Sequence, residues 1–188
     1  VADSVAGAAD LAAAVLRADG EAYVKLTRIL KHLSAPQWVT ARAFPAAVLD
    51  RIEAAIKASE AAHRGEIRFV VESGLDLLPL LRGITPRERA LEVFSQLRVW
   101  DTEENTGVLI YVQFVDHDIE IVADRGISAR VPQAEWEAVC QRMEEAFQVR
   151  RFEQGTIAGI ERITTLLRQH FPAGGVNPDE LPDKPVTL

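Results

Sequence analysis

Between Asp101 and Ile127 the chain reads DTEENTGVLIYVQFVDHDIEIVADRGI, and within it Val108 to Val115 is almost uninterrupted apolar sequence, rich in β-branched and aromatic residues. The run is short enough for a strand and too one-sided in composition for a surface strand, so it is expected to be buried on both faces at the centre of a sheet. Asp116-His117 then turns the chain, and Asp118 to Asp124 alternates, with Ile119, Ile121 and Ala123 on one face and Glu120, Val122 and Asp124 on the other. That pattern predicts a β-hairpin. Hairpin strands are antiparallel, so the exit of the second strand at Asp124-Arg125-Gly126 returns beside the entry of the first at Glu103-Glu104-Asn105.

The flanking segments supply the layers. Pro45 suits the start of a helix whose stripe is Val48, Leu49, Ile52, Ala55, Ile56 and Ser59, with Arg51, Lys57 and Glu60 on the opposite side. Glu66 to Glu72 alternates as a strand, and Ser73 to Gly83 reads as a Leu-rich loop around Pro79, folded over the sheet or exposed for a partner. Thr85-Pro86-Arg87-Glu88 is a capping box that opens a helix, with Leu91, Phe94 and Leu97 facing inward. A strand, a helix and a strand in that order predict parallel pairing of the Glu66 and Val108 strands through a crossover. Two more helices follow, one opened by Pro132 and carrying Trp136, Val139, Cys140, Met143 and Phe147. The other is lined by Ile157, Ile160, Ile163 and Leu167, with Gly155 and Gly159 one turn apart so that a neighbour can approach closely.

The ends differ in character. Residues 1–23 are Ala-rich and are expected to be a leader, weakly helical or disordered. Residues 24–44 carry Lys25, Arg28, Lys31 and Arg42 with no Asp or Glu, and Leu26, Ile29, Leu30 and Leu33 share one helical face, which predicts a basic amphipathic helix packed on the domain or docked to an acidic surface. The α/β domain is expected to span 45–172, and 173–188, with its several prolines, to be an extended tail along the surface.

Composition excludes several classes. A net charge of −7 argues against nucleic acid as a partner, no apolar run is long enough to span a bilayer, and the N-terminal segment lacks the basic and apolar regions of a secretion signal. The single cysteine, Cys140, excludes an internal disulfide and a cysteine-rich zinc site, so a cytoplasmic setting is expected, with a peripheral membrane location as the alternative. No HExxH, GxSxG, GxxxxGK[ST] or GxGxxG motif occurs. Asp116-His117-Asp118 departs from the pattern of aspartyl-phosphate enzymes and reads as a hairpin turn. Glu103, Glu104, Asn105 and Asp124 are the candidate metal ligands, because oxygen donors from two adjacent turns suit calcium first and magnesium second; as ordinary turn and cap residues they need no ion.

Taken together, GEIRFVVE, the capped helix ending FSQLRVWDTEENTGVLIYV, the DHDIEIVADRGI hairpin and the helical segment closing in HFP resemble the TPM-domain family, in its stand-alone bacterial form without a signal peptide, membrane helix or glycine-rich tail. The most specific parts are Asn105-Thr106-Gly107-Val108-Leu109 and Asp124-Arg125-Gly126-Ile127. The resemblance implies a three-layer α/β/α sandwich around a small mixed sheet. It also implies a choice of function, because the family includes a thylakoid lumen protein credited with acid phosphatase activity and bacterial relatives that bind calcium. Glu103, Glu104, Asn105 and Asp124 match the region where the family places its metal and phosphatase site. Two readings follow: a calcium-binding accessory module for a protein or membrane partner, and a metal-dependent phosphatase acting on phosphomonoesters.

Overall fold

The structure, a computed structural model, describes residues 26–32, 37–174 and 178–188. The expected leader at 1–23 lies outside these residues. Four strands form one sheet: β1 (Glu66–Glu72), β2 (Gly107–Gln113), β3 (Asp118–Ala123) and β4 (Val186–Thr187), in the order β3-β2-β1-β4. β1 runs parallel to β2 and β4, and β2 pairs antiparallel with β3, Ile110 opposite Ile121. Every residue of β1 and β2 is buried, as expected for central strands. The extended tail is thus partly a strand, closing the outer edge of β1.

Alternation divides the side chains between two cores. Ile67, Phe69 and Val71 of β1, with Val108, Ile110, Val112, Ile119 and Ile121, pack against α3 (Ala46–Glu60), α7 (Gln133–Gln148) and α8 (Phe152–His170). Val70, Leu109, Tyr111 and Val122 face the other way, onto α5 (Pro86–Gln96) and Leu181 of the tail. The fold is therefore an α/β sandwich with helices on both faces of a mixed sheet. Gly159 admits α7 closely, since a Cβ there would lie 2.4 Å from Met143 Sδ. The capping box at Thr85 and Glu88 is formed in both directions.

Four expectations are corrected. Residues 73–83 are not all loop: Leu77–Arg82 is a short helix, α4, whose Pro79 falls in the first turn, where its missing N–H costs nothing. At α5, Phe94 and Leu97 pack against the second core as expected, beside the fully buried Ala90 and Val93, but Leu91 is exposed. Glu60 is buried rather than on the solvent side, since its carboxylate turns back to accept from Ile67 N at 2.7 Å. The fourth concerns α1, residues 26–32: Ile29 is half-buried, but Leu26 and Leu30 do not face the domain. Arg28 and His32 do: Arg28 Nε donates to Asp116 Oδ2 at 2.9 Å, and His32 Nδ1 accepts from Leu75 N at 2.9 Å. Leu26 and Leu30 are left 54% and 57% exposed. Next to α1, α2 (Gln37–Ala43) borders a groove of about 1030 Å³ lined by Trp38, Val48, Phe114, Phe147 and Phe152.

Candidate metal centre

Parallel pairing of β1 with β2, followed by an antiparallel return, puts the starts of β1 and β2 and the finish of β3 on one rim of the sheet. Glu66 N donates to Thr106 O at 3.1 Å and Asp124 N to Gly107 O at 2.9 Å, which locks the entering turn to the leaving one. Asn105 takes a left-handed backbone, φ 56°, a conformation its short amide side chain tolerates. Gly126 then presses on that turn. Its N–H donates to Asn105 O at 3.1 Å, and a Cβ on it would lie 2.6 Å from that oxygen and 2.7 Å from Glu104 O, so only glycine allows the approach.

The four expected ligands are gathered on this rim with different partners. Asp124 caps α6 (Arg125–Ser128), its Oδ1 accepting from Arg125 N at 2.7 Å. Arg125 Nε donates to Asn105 Oδ1 at 2.9 Å, tying Asn105 and Asp124 together through one residue. Glu104 instead holds Arg64 in an ion pair, and the Glu103 side chain is exposed. Asp124 Oδ2 is buried with no hydrogen-bond partner, although the residue is only 9% exposed. A buried carboxylate oxygen without a donor is costly unless a cation or water meets it.

Sequence reasoning missed the tail's contribution to the same rim. Leu181 N donates to Glu66 Oε2 at 3.2 Å and Glu103 N to Glu180 Oε1 at 2.9 Å, so the tail crosses from one acidic loop to another. Among the described residues, Glu60, Asp179 and Asp183 have ligand oxygens within 4.8 Å of one another. Burial, then the Asp183 carboxylate, pushes Glu60 up to about 10, and burial raises Glu66 to about 7. Arg68 lies beside Asp183 and Glu60, 6% exposed, with Nε and Nη1 lacking a protein acceptor. The available signal was the PDELPD segment, three acids spaced by prolines, whose destination a single sequence does not reveal.

Other reactive groups are spoken for. His63 Nδ1 accepts from Gly65 N at 3.1 Å, so Nε2 carries the proton and donates to Ser59 Oγ at 2.8 Å. Burial lowers His63 to about 4, so the ring is neutral, and it is not a base for Ser59. Cys140 is pushed up to about 12, first by burial and then by Glu120, which keeps the thiol protonated and fits a structural role. Glu72 is bound by Arg89 at 2.8 and 3.0 Å and by the Tyr111 hydroxyl, a closed network in the second core.

The model of the TPM domain matches residues 39–166, more than half of the chain. The chain belongs to the TPM-domain family. Among solved structures, the NMR structure of the BA42 protein from the psychrophilic bacterium Bizionia argentinensis is similar, with TM-score 0.68 and 31% sequence identity over 76% of this chain and 94% of that one. No curated protein matches the chain. The matched span of this TPM domain runs from α2 to the last turns of α8 and includes both turns of the Asp124 rim, while the tail that brings Asp179 and Asp183 lies beyond it.

Proposed function

We propose that this TPM domain is a non-catalytic accessory module that binds a divalent cation, calcium before magnesium, at the rim formed by Glu103, Glu104, Asn105 and Asp124, and presents a surface to a protein or membrane partner. It works in the cytoplasm, peripheral to the membrane. The observation that carries the reading is Asp124 Oδ2, a buried carboxylate oxygen with no protein donor. The donor set fits a hard cation, since every side chain on that rim offered as a ligand presents oxygen. Glu103 and Glu104 lie on the exposed side, where they complete a charge that Asp124 alone would not supply. In this reading the ion fixes the two loops to one another, and the neighbouring carboxylates of Glu66 and Glu180 are engaged by Leu181 N–H and Glu103 N–H.

A melting experiment tests this. With calcium at about a hundred times its dissociation constant the native state gains about 2.7 kcal/mol, a rise of roughly 5–10 °C for a domain of this size. Asp124→Asn should abolish the rise while leaving the metal-free melt close to that of the wild type. An unchanged wild-type melt with calcium and with magnesium sinks the metal assignment.

A further inference from the structure

The rim opposite the Asp124 rim carries α1, which leaves leucines facing outward. α1 is held by its polar side: Arg28 Nη1 donates to Ile84 O at 3.0 Å, His32 Nε2 lies 3.0 Å from Asp116 Oδ2, and His32 Nδ1 takes the Leu75 N–H. An amphipathic helix in an aqueous monomer buries its apolar stripe; this one shows Leu26 and Leu30 to solvent. The helix between Leu75 and Ile84, two of the residues that hold it, does the same. In α4, Leu80 is buried, yet Leu77, Leu78 and Leu81 are 44%, 65% and 62% exposed. Trp38, on the neighbouring α2, is 63% exposed. Scattered exposed leucines are ordinary, but leucines repeated on α1 and on α4, whose flanking residues Leu75 and Ile84 hold α1, form a patch that calls for a partner.

Charge says which partner. Residues 24–44 hold four basic side chains and no acid, in a chain of net charge −7. On these helices Arg42 and Arg82 are exposed, against Asp76, which is exposed at the start of α4, while Asp118 is half-buried beside Asp116 and Arg28. Asp116 is taken up by Arg28, and Glu88 by the Thr85 cap. At the far rim Glu103, Glu104, Asp124 and the tail add acids, of which Glu103 and Glu104 are exposed. A basic, leucine-bearing surface with an outlying Trp has the composition of an interfacial membrane contact, the leucines entering the acyl boundary and the cations meeting anionic headgroups.

We infer that α1, α2 and α4 form a docking face for an anionic lipid bilayer, held from outside, since among the described residues no helix is long and apolar enough to cross a membrane. The inference names the partner of the accessory module proposed above, but it does not use the cation. Docking by this face points the acidic rim away from the negative membrane surface. The test is co-sedimentation of the full chain, in chelator and about 0.1 M salt, with phosphatidylcholine vesicles containing about a third phosphatidylglycerol and with pure phosphatidylcholine vesicles. Binding is expected to the first and not to the second. Leu78→Asp/Leu81→Asp, at positions exposed enough to keep the fold, should bind at least about ten-fold more weakly with an unchanged melt. Wild-type protein that stays in the supernatant, that binds neutral vesicles equally, or whose binding survives the double substitution overturns the inference. So does a dimer in the absence of lipid that the same substitutions dissolve. Because chelator is present throughout, failure here leaves the calcium reading standing, and failure of the calcium melt leaves this one standing.

Discussion

Replacing Glu60 with Gln asks whether a proton holds the tail to the domain. Glu60 is 8% exposed, and burial followed by the Asp183 carboxylate raises its pKa from 4.5 to about 10. Between those values the native state keeps a proton that the unfolded chain has released. Stability therefore falls as pH rises, by about 1.4 kcal/mol per pH unit for this one group. Glutamine is neutral throughout and retains an oxygen for Ile67 N–H, so it removes the slope without emptying the space. The variant should gain on the wild type by about 3 kcal/mol between pH 6 and pH 8. Glu66, raised to about 7, adds a decline up to that pH, and His63, lowered to about 4, opposes it up to its ordinary value near 6.5; both act on the two proteins alike. The difference between the proteins thus isolates Glu60. Urea unfolding followed by circular dichroism in chelator, at unit steps of pH, measures it. A difference that stays constant from pH 6 to pH 8, or a wild type that gains on the variant, refutes the reasoning.

Other outcomes follow from the same structure. Arg89→Met leaves Glu72 buried at 6% exposure without its cation and should cost about 3–5 kcal/mol in urea unfolding. Gly126→Ala drives a methyl into the Glu104 and Asn105 carbonyls, which are backbone and yield little; a loss of about 1–3 kcal/mol is expected, together with the calcium-dependent rise in melting. The purified chain should leave a generic phosphomonoester intact with calcium or magnesium present. Turnover that disappears both on chelation and in Asp124→Asn would restore the phosphatase reading, whereas equal residual turnover in that variant marks a contaminating enzyme.

The sheet was legible because its strands obey short-range rules. Val108 to Val115 declares a central strand, Glu66 to Glu72 alternates, and the Thr85 capping box fixes the start of α5 to the residue. The meeting of the Asn105 and Asp124 turns then follows from strand direction alone. What the sequence hid depends on contacts between distant segments. Glu60 looks like the solvent side of a helix until the chain reverses at Gly65 and brings the Ile67 N–H to it. Asp179 and Asp183 sit among prolines, and nothing local says that they return more than a hundred residues to Glu60. α1 shows that amphipathicity alone does not decide which side is buried, since Asp116 and the Leu75 N–H satisfy the polar side better than the surrounding surface would cover the leucines. Residues 73–83 are expected to be a loop around Pro79, yet that proline falls in the opening turn of α4, where it is tolerated.

The pairing of Val186 with Val70 has a consequence for how the protein comes into being. On the ribosome, β1 finds β2 soon after both emerge, but its other flank waits until Val186, more than a hundred residues further on, has been synthesised. For that interval a row of bare peptide groups beside Phe69 and Val71 is open to any stray strand. A nascent chain arrested short of Val186 is the form expected to clump, and a chaperone that grips extended, apolar peptide would find its best hold there.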